Sequence, residues 1–180
     1  MAPLRIFLAD DHEIVRFGVR TLLEIHGEWI IVGEASDGAA AIEGVLSSEP
    51  DIAILDIGMP IVDGLTAARK IMAGGSTAKI LMLSLHDSKN VIRQVVDSGA
   101  KGFVLKSDAA RDLIAAVEAL QSGGTFFTPK TAEIILDRQL GRMQEQKRSG
   151  SGGSSGGSSG GSTRAGKRVR RGISEVEKLR

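Results

Sequence analysis

The sequence predicts a doubly wound α/β domain, in which a five-stranded parallel sheet carries helices on both faces. Short apolar runs alternate five times with segments whose apolar residues recur at helical spacing, which is typical of parallel strands joined by crossover helices. Most of the predicted strands also end in polar side chains, as strands do where a sheet edge forms a ligand site. At 180 residues the chain is long enough for one such domain and a smaller second part.

Five runs are predicted to be strands because they are short, aliphatic and bounded by polar or turn-forming residues. They are residues 4–9, 29–35, 52–56, 79–84 and 102–106. The third run, IAILD, places the carboxylate of Asp56 directly after apolar residues, and Gly58, Met59 and Pro60 follow. A central strand does not continue through a proline, so the chain must turn just past Asp56.

Helices are predicted between the strands and after the last one, over residues 13–26, 38–48, 64–72, 90–100 and 108–122. We expect Asp108 to cap the last of these helices. The apolar face of the first helix is expected to consist of Ile14, Phe17, Gly18, Leu22 and Ile25.

Composition excludes several classes of protein. The chain has no cysteine, which excludes disulfides, thiolate metal sites and a cysteine nucleophile. It has no run of about 18 apolar residues to span a membrane, and its opening, MAPLRIFLADDHE, meets two acids too early for a signal peptide. We therefore expect a cytoplasmic protein that has no membrane partner.

Polar side chains follow four of the five predicted strands. Asp10 and Asp11 follow the first strand, Asp56 ends the third, Ser84 the fourth and Lys106 the fifth. Strand ends become polar wherever they meet water, but that does not explain three acids, a hydroxyl and a lysine together. Because parallel strands point the same way, we expect these groups to meet at one edge of the sheet, as they would in a functional site.

These residue types together suit phosphoryl transfer. Three crowded carboxylates repel one another unless a cation lies among them, and an all-oxygen donor set suits Mg²⁺. A carboxylate beside a metal ion can attack phosphorus, which makes Asp56 the candidate nucleophile. Lys106 offers positive charge and Ser84 a hydroxyl donor to the oxygens of the transferred group. The pattern thus indicates a phosphoryl acceptor.

At these residues the sequence resembles a known family. The acid pair Asp10-Asp11, then LDIGMPIVDG, LMLSLHD and GAKGFVLK, are similar in order and spacing to the motifs of the receiver domain of bacterial two-component response regulators. The resemblance covers residues 4–122. It implies the flavodoxin-like strand order 2-1-3-4-5, phosphorylation of Asp56 by a sensor histidine kinase, and no enzyme activity beyond the domain's own phosphorylation and dephosphorylation.

The resemblance also implies roles for the residues around Asp56. Mg²⁺ would be held by Asp11, Asp56 and the backbone carbonyl of Gly58, with Asp10 assisting through water. Ser84 and Phe103 would rearrange together on phosphorylation. His86 would occupy a position that tunes dephosphorylation.

Stretches such as LADDHEIVRFGVRTLLE and GGTFFTP resemble the subfamily whose output is a LuxR/NarL-type helix-turn-helix. This implies a transcription regulator that forms a homodimer on phosphorylation and contacts DNA only through its output domain. The last eight residues, ISEVEKLR, are too few for a helix-turn-helix. We therefore expect the output domain to be absent from this chain.

Four segments are predicted along the chain. Residues 1–124 form the receiver domain, residues 125–148 a connector helix, residues 149–163 a flexible Gly/Ser linker and residues 164–180 a basic tail. Residues 1–148 carry 16 basic and 20 acidic side chains, whereas residues 149–180 carry 7 and 2, so a mildly acidic body precedes the basic tail.

Two alternatives belong to other classes of protein. A phosphatase of the haloacid dehalogenase type also uses a strand-end aspartate and Mg²⁺, but it needs a second aspartate where this chain has Gly58. The other alternative is a stand-alone protein-interaction module, in which the acid cluster has no output domain to control or only binds a metal ion.

Overall fold

The structure, a computed structural model, describes residues 2–129 and 131–136 of the chain. Among these residues it contains five strands, five α-helices, a 3-10 turn and a further helical stretch at residues 131–136. The strands are β1 (Leu4–Ala9), β2 (Trp29–Ala35), β3 (Ile52–Asp56), β4 (Lys79–Ser84) and β5 (Gly102–Leu105). The helices are α1 (Glu13–Glu24), α2 (Gly38–Ser48), α3 (Gly64–Ala73), α4 (Lys89–Asp97) and α5 (Ala109–Gln121), and the 3-10 turn covers Lys106–Asp108.

All five strands form one parallel sheet in the order β2-β1-β3-β4-β5. This confirms the predicted doubly wound sheet and its order. Every residue of the central strand β3 is buried, because helices cover both faces of the sheet at this position. The topological switch point lies between β1 and β3, where doubly wound proteins place their ligand sites.

The two faces of the sheet carry separate hydrophobic cores. Helices α1 and α5 cover one face, where Leu23 and Leu113 are fully buried. Helices α2, α3 and α4 cover the other face, where Val45, Ile71 and Ile92 are fully buried. Aliphatic side chains fill most of both cores, in keeping with an aromatic content of only 3% in the chain.

Side chains fix the starts of the three helices on the second face. Asp37 accepts hydrogen bonds from the first turn of α2, Asp63 accepts one from Thr66 N–H in α3, and Ser88 accepts one from Val91 N–H in α4. Such caps contribute about 1 kcal/mol each. Asp108 occupies the predicted cap position of α5, but its side chain makes no cap bond.

The predicted apolar face of α1 is wrong except at Leu22, which is partly buried against the core, and the helix itself is confirmed. Ile14, Phe17 and Ile25 are 87%, 70% and 77% exposed. Val19 and Leu23 face the sheet instead. The helix carries two apolar stripes, and the spacing of residues within a helix does not decide which stripe the tertiary fold buries.

The chain after α5 runs along the free edge of β5. The Phe103 N–H donates to the Phe126 carbonyl over 2.9 Å, and the Phe126 N–H donates to the Lys101 carbonyl over 3.0 Å. Residues 131–136 are helical, and Ile134 is buried against the core on the α4 side. The rest of the predicted connector, the linker and the basic tail lie outside the described residues. Within the described part, no helix combines the length and apolar character needed to cross a membrane.

Candidate phosphoacceptor site

Two buried carboxylates lie at the switch point, at the carboxyl ends of β1 and β3. Asp56 is the last residue of β3, and Asp10 follows directly after β1. Both are buried, with exposed fractions of 3% and 0%. Because β1 and β3 are adjacent and parallel, their ends lie side by side. The predicted convergence of these two acids is therefore observed.

Lys106 joins the two carboxylates. Its Nζ lies 2.8 Å from Oδ2 of Asp10 and 2.9 Å from Oδ2 of Asp56, and its side chain is only 5% exposed. The lysine was predicted to end a strand over residues 102–106, but β5 ends at Leu105 and Lys106 begins the 3-10 turn. The turn directs the ammonium group across the ends of β3 and β1.

Lys106 carries one positive charge and pairs with two carboxylates, so the three side chains together keep a net negative charge. Burial disfavours the charged form of Lys106, but its contacts with Asp10 and Asp56 outweigh that cost, so the pKa of the lysine is raised and it stays charged. Burial also raises the pKa of Asp56, and the nearby Asp10 charge adds to the effect, while Lys106 opposes it. The lysine cannot fully compensate both carboxylates, so the site attracts a further cation.

An acid cluster surrounds the end of β3. One ligand atom from each of Asp10, Asp11, His12 and Asp56 lies within 4.8 Å of the others. Asp11 is partly exposed, which leaves the cluster open to solvent on one side. Carboxylate oxygens that converge in this way suit a hard dication such as Mg²⁺. The carboxylates therefore fit the predicted metal, and a nitrogen atom of His12 lies among them.

The hydroxyl of Ser84 lies at the same edge but bonds to its own loop. It donates to the His86 carbonyl over 2.8 Å and accepts from the His86 N–H over 3.0 Å. Ser84 is buried and the His86 residue is exposed. Phe103 lies on β5 and is also buried, at 2% exposure. The structure thus brings Ser84 to the predicted edge, with its hydroxyl engaged by His86.

The loop after Asp56 wraps closely around that residue. The Gly58 N–H donates to the Asp56 carboxylate, which lowers the pKa of the acid against the larger effect of burial. Gly64, at the start of α3, lies so close that a Cβ there would be 2.0 Å from the Asp56 carbonyl oxygen. Sequence reasoning missed this role of Gly64, although a glycine at the start of a helix next to a functional loop could have suggested a close approach.

Arg16 is a second residue that sequence reasoning missed. Its Nη1 donates to the Asp10 carbonyl over 2.7 Å, and its Nε lies 3.6 Å from Oε2 of Glu34 on β2. The arginine thereby ties α1 to the loop that carries the acid pair. No local pattern distinguishes it from an ordinary solvent-facing arginine on a helix, because both contacts are with residues from other elements.

This fold and this site define a class of protein: a doubly wound α/β domain that presents carboxylates and a lysine at its switch point, where proteins of this fold bind their ligands. A profile of the response regulator receiver domain matches residues 6–118, more than half of the chain. The chain belongs to the response regulator receiver family.

Individual relatives agree with this assignment. The transcriptional regulatory protein DegU of Brevibacillus brevis is 34% identical over 148 residues, which cover 81% of this chain and 63% of that protein. The oxygen regulatory protein NreC of Staphylococcus carnosus is 36% identical over 135 residues, which cover 74% of this chain and 62% of that protein. The chain therefore spans slightly less than two thirds of the length of these relatives.

A solved structure agrees as well. The crystal structure of a two-component response regulator of the LuxR family from Aurantimonas sp. SI85-9A1 is 33% identical, with a TM-score of 0.70. The match covers 77% of this chain and 99% of that one. The agreement with this structure therefore holds for the sequence as well as for the fold. The two alternatives, a haloacid dehalogenase-type phosphatase and a stand-alone protein-interaction module, are not favoured.

Proposed function

We propose that Asp56 accepts a phosphoryl group from a phosphohistidine of a sensor kinase, and that the modification switches the domain between two conformations. The observation that carries the proposal is the position of Asp56, a buried acid at the end of the central strand with Lys106 Nζ 2.9 Å from its Oδ2. Buried acids with a perturbed pKa beside a specific charge partner are concentrated at functional sites.

The chemistry is a displacement at phosphorus. One carboxylate oxygen of Asp56 forms a bond to phosphorus while the phosphorus–nitrogen bond of the donor breaks, and the imidazole leaves with the bonding electron pair and takes up a proton. Lys106 faces the oxygens of the transferred group and balances part of their charge. Bound Mg²⁺ would supply the remaining positive charge. The domain catalyses only this step and the later hydrolysis of its own aspartyl phosphate.

For the metal site, we assign Asp11, Asp56 and the Gly58 backbone carbonyl as direct ligands of Mg²⁺, with Asp10 acting through water. The convergence of the carboxylates within 4.8 Å supports this assignment. Mg²⁺ keeps several water ligands in proteins, and the partly exposed Asp11 leaves room for them.

The conformational change is assigned to Ser84 and Phe103. To donate to a phosphoryl oxygen on Asp56, the Ser84 hydroxyl must give up its bond to the His86 carbonyl, so the loop after β4 has to move. Exposed His86 then lies beside the modified group, where it tunes the lifetime of the phosphoryl group. A rearrangement at β5 would reach the chain after α5, because the Phe103 N–H bonds to Phe126.

The output belongs to the whole protein. We propose that the domain, residues 1–124, is followed by a connector over residues 125–148, a linker over residues 149–163 and a basic segment over residues 164–180. Phosphorylation would promote a homodimer and control transcription through a LuxR-type DNA-binding domain outside this chain. A cytoplasmic location, where the kinase presents its phosphohistidine, is part of the same proposal.

The test is phosphorylation by a small acyl phosphate in the presence of Mg²⁺, followed by intact-mass spectrometry. The wild-type chain should gain one phosphoryl group that is labile to base, and the Asp56→Asn variant should gain none. The control is Asp112→Asn, which removes an aspartate on α5 outside the site. Equal labelling of wild type and Asp56→Asn would refute the assignment of Asp56, and no labelling of either would refute the phosphoacceptor function.

A further inference from the structure

The acid cluster contains a nitrogen donor that the proposed function does not use. We propose that Nδ1 of His12 is a metal ligand, so that the site binds a first-row transition dication such as Mn²⁺ more tightly than its carboxylates alone would. This inference rests on the proposed function only in placing a divalent ion at the cluster. It assigns to His12 a role in the choice of that ion.

The position of the imidazole carries the proposal. Nδ1 of His12 lies 2.8 Å from Oδ1 of Asp11 and 3.5 Å from Oδ1 of Asp10. With Asp56, these atoms form a group in which every ligand atom lies within 4.8 Å of every other. Atoms that share one ion must lie about this close, since metal–ligand bonds to such ions measure roughly 2.0–2.2 Å.

Hydrogen bonds hold the main chain of His12 beside the cluster. The Asp10 N–H donates to the Ala35 carbonyl over 3.1 Å, and Arg16 donates to the Asp10 carbonyl over 2.7 Å. The His12 N–H donates to Oδ1 of Asp10 over 2.8 Å. These bonds hold the main chain of His12 against Asp10, while its side chain, 58% exposed, can turn without displacing the core.

A second observation points to a cation in the same place. Oδ2 of Asp10 is fully buried. Its close neighbour is Nζ of Lys106, an ion pair that Lys106 shares with Asp56. One ammonium group shared by two buried carboxylates leaves negative charge that a bound cation would balance.

The alternative role for His12 is that of a hydrogen-bond donor. If Nδ1 carries the proton, it donates to Asp11 and competes with any cation for that carboxylate. If Nε2 carries the proton, the lone pair of Nδ1 faces the acids and is available to a metal. The two roles predict opposite effects of removing the imidazole, since transition-metal affinity rises in the first case and falls in the second.

The identity of the favoured ion follows from the donor set. Mg²⁺ binds oxygen ligands almost exclusively, so an imidazole adds little to its affinity. First-row transition dications accept imidazole nitrogen more readily than Mg²⁺ does, and Mn²⁺ binds it least strongly of the series. Adding one imidazole to the carboxylate ligands therefore improves the competition of Mn²⁺ against Mg²⁺, whereas the carboxylates alone would not.

The experiment compares the wild-type chain with His12→Gln, and with His26→Gln as a matched control. His26 stacks on Trp29 and pairs with Glu118, outside the acid cluster. Mn²⁺ binding is followed by the loss of the free-ion signal in electron paramagnetic resonance, and Mg²⁺ binding by its competition with Mn²⁺. Pulsed resonance of the Mn²⁺-loaded chain detects a coordinated imidazole nitrogen directly.

We expect a nitrogen coupling in the wild type and in His26→Gln, and none in His12→Gln. The dissociation constant of Mn²⁺ should rise about tenfold or more in His12→Gln, since even outer partners of metal ligands contribute about tenfold to affinity. The dissociation constant of Mg²⁺ should change little. Absence of nitrogen coupling in the wild type, or a ratio of the two constants that His12→Gln leaves unchanged, would overturn the proposal.

The outcome is separable from that of the proposed function. Labelling of Asp56 by an acyl phosphate with Mg²⁺ should persist in His12→Gln, because the carboxylates remain. If Asp56 is labelled but Mn²⁺ shows no nitrogen coupling, the ligand role of His12 alone fails. If Mn²⁺ shows the coupling but no variant is labelled, the phosphoacceptor role alone fails.

Discussion

The ammonium group of Lys106 lies 2.9 Å from the carboxylate of Asp56, and the same group lies 2.8 Å from the carboxylate of Asp10. One buried positive charge therefore serves two buried negative charges. The folded state retains an uncompensated charge, which costs stability and also prepares the site for a dication. Without a bound cation the folded domain is therefore less stable than it would be with balanced charges, a trade-off that is common at functional sites.

Replacing Asp10 by asparagine removes one of the two acids and leaves Lys106 and Asp56 as a neutral pair. We expect the free energy of unfolding in Mg²⁺-free buffer at neutral pH to increase by roughly 1–2 kcal/mol. This is a fraction of the repulsion between two like unit charges about 4 Å apart, which is about 4 kcal/mol at an effective dielectric constant near 20. The asparagine carbonyl can still accept the His12 N–H. Urea denaturation followed by the fluorescence of buried Trp29 measures the change.

The control for this variant is Glu43→Gln, which removes an exposed acid from α2 and should change stability by less than about 0.5 kcal/mol. The wild type should also gain more stability from added Mg²⁺ than Asp10→Asn does, because a ligand stabilises the state that binds it. A variant that is less stable than the wild type would show that the Asp10–Lys106 contact outweighs the charge imbalance.

The pH dependence of stability should reveal the raised pKa of Asp56. The folded state binds this proton more tightly than the unfolded state, whose ordinary pKa is 3.8. Stability contributed by protonation is therefore lost as the pH rises from about this value through the raised pKa, and it stays level above that pKa. The stability advantage of Asp56→Asn over the wild type should accordingly grow with pH across that window. Urea denaturation between pH 4 and pH 8 measures it.

Asp63→Asn should show the opposite trend. Desolvation opposes the charge of Asp63, but its bonds to Thr66 outweigh this and lower the pKa of the acid. The stability that its charge contributes is present above the unfolded pKa and is lost as the pH falls through the lowered one. The wild type should therefore exceed Asp63→Asn in stability at neutral pH and lose that advantage towards acid. Two parallel pH profiles would contradict both assignments.

Features that depend on the direction of the strands could be predicted from the sequence, whereas features that depend on contacts between distant elements could not. The convergence of Asp10, Asp56 and Lys106 could be predicted from the residues, because parallel strands bring their ends together whatever packs on them. The strand order was implied by the resemblance to the receiver family and not by the spacing of residues. The buried face of α1 and the contact of Arg16 with the Asp10 carbonyl could not be predicted. These depend on which neighbouring element each side chain meets, and the spacing of residues along the chain does not contain that information.

Gly64 gives a test of how tightly α3 packs against the end of β3. In Gly64→Ala the new Cβ would lie 2.0 Å from the Asp56 carbonyl oxygen, and backbone atoms cannot easily move aside. We expect a loss of about 1–3 kcal/mol in the free energy of unfolding, the usual cost of overpacking. Phosphorylation by an acyl phosphate should slow in parallel, because the Asp56 backbone must shift.

Gly18 on α1 is the matched control. A Cβ at this position has no heavy atom within 4 Å, and the residue lies inside a helix. Gly18→Ala should therefore increase stability by roughly 0.5–1 kcal/mol, the difference in helix propensity between the two residues. If Gly64→Ala is as stable as Gly18→Ala, α3 does not begin against the Asp56 carbonyl.

The last prediction concerns the chain after α5, which the structure joins to the domain core. Ile134 is 6% exposed and packs in the core on the α4 side, whereas Leu136 in the same helical stretch is 56% exposed. Truncating Ile134 to alanine should cost about 2–4 kcal/mol, as deletion of a buried aliphatic side chain does, and Leu136→Ala should cost less than about 0.5 kcal/mol. Urea denaturation followed by Trp29 fluorescence measures both. A large loss for Ile134→Ala alone means that the segment beside β5 contributes to the stability of the domain, so a cut at residue 124 would expose the edge of β5 and the core beneath Ile134. Equal, small losses for both variants would mean that the domain ends with α5 and that the segment beyond it contributes nothing to stability.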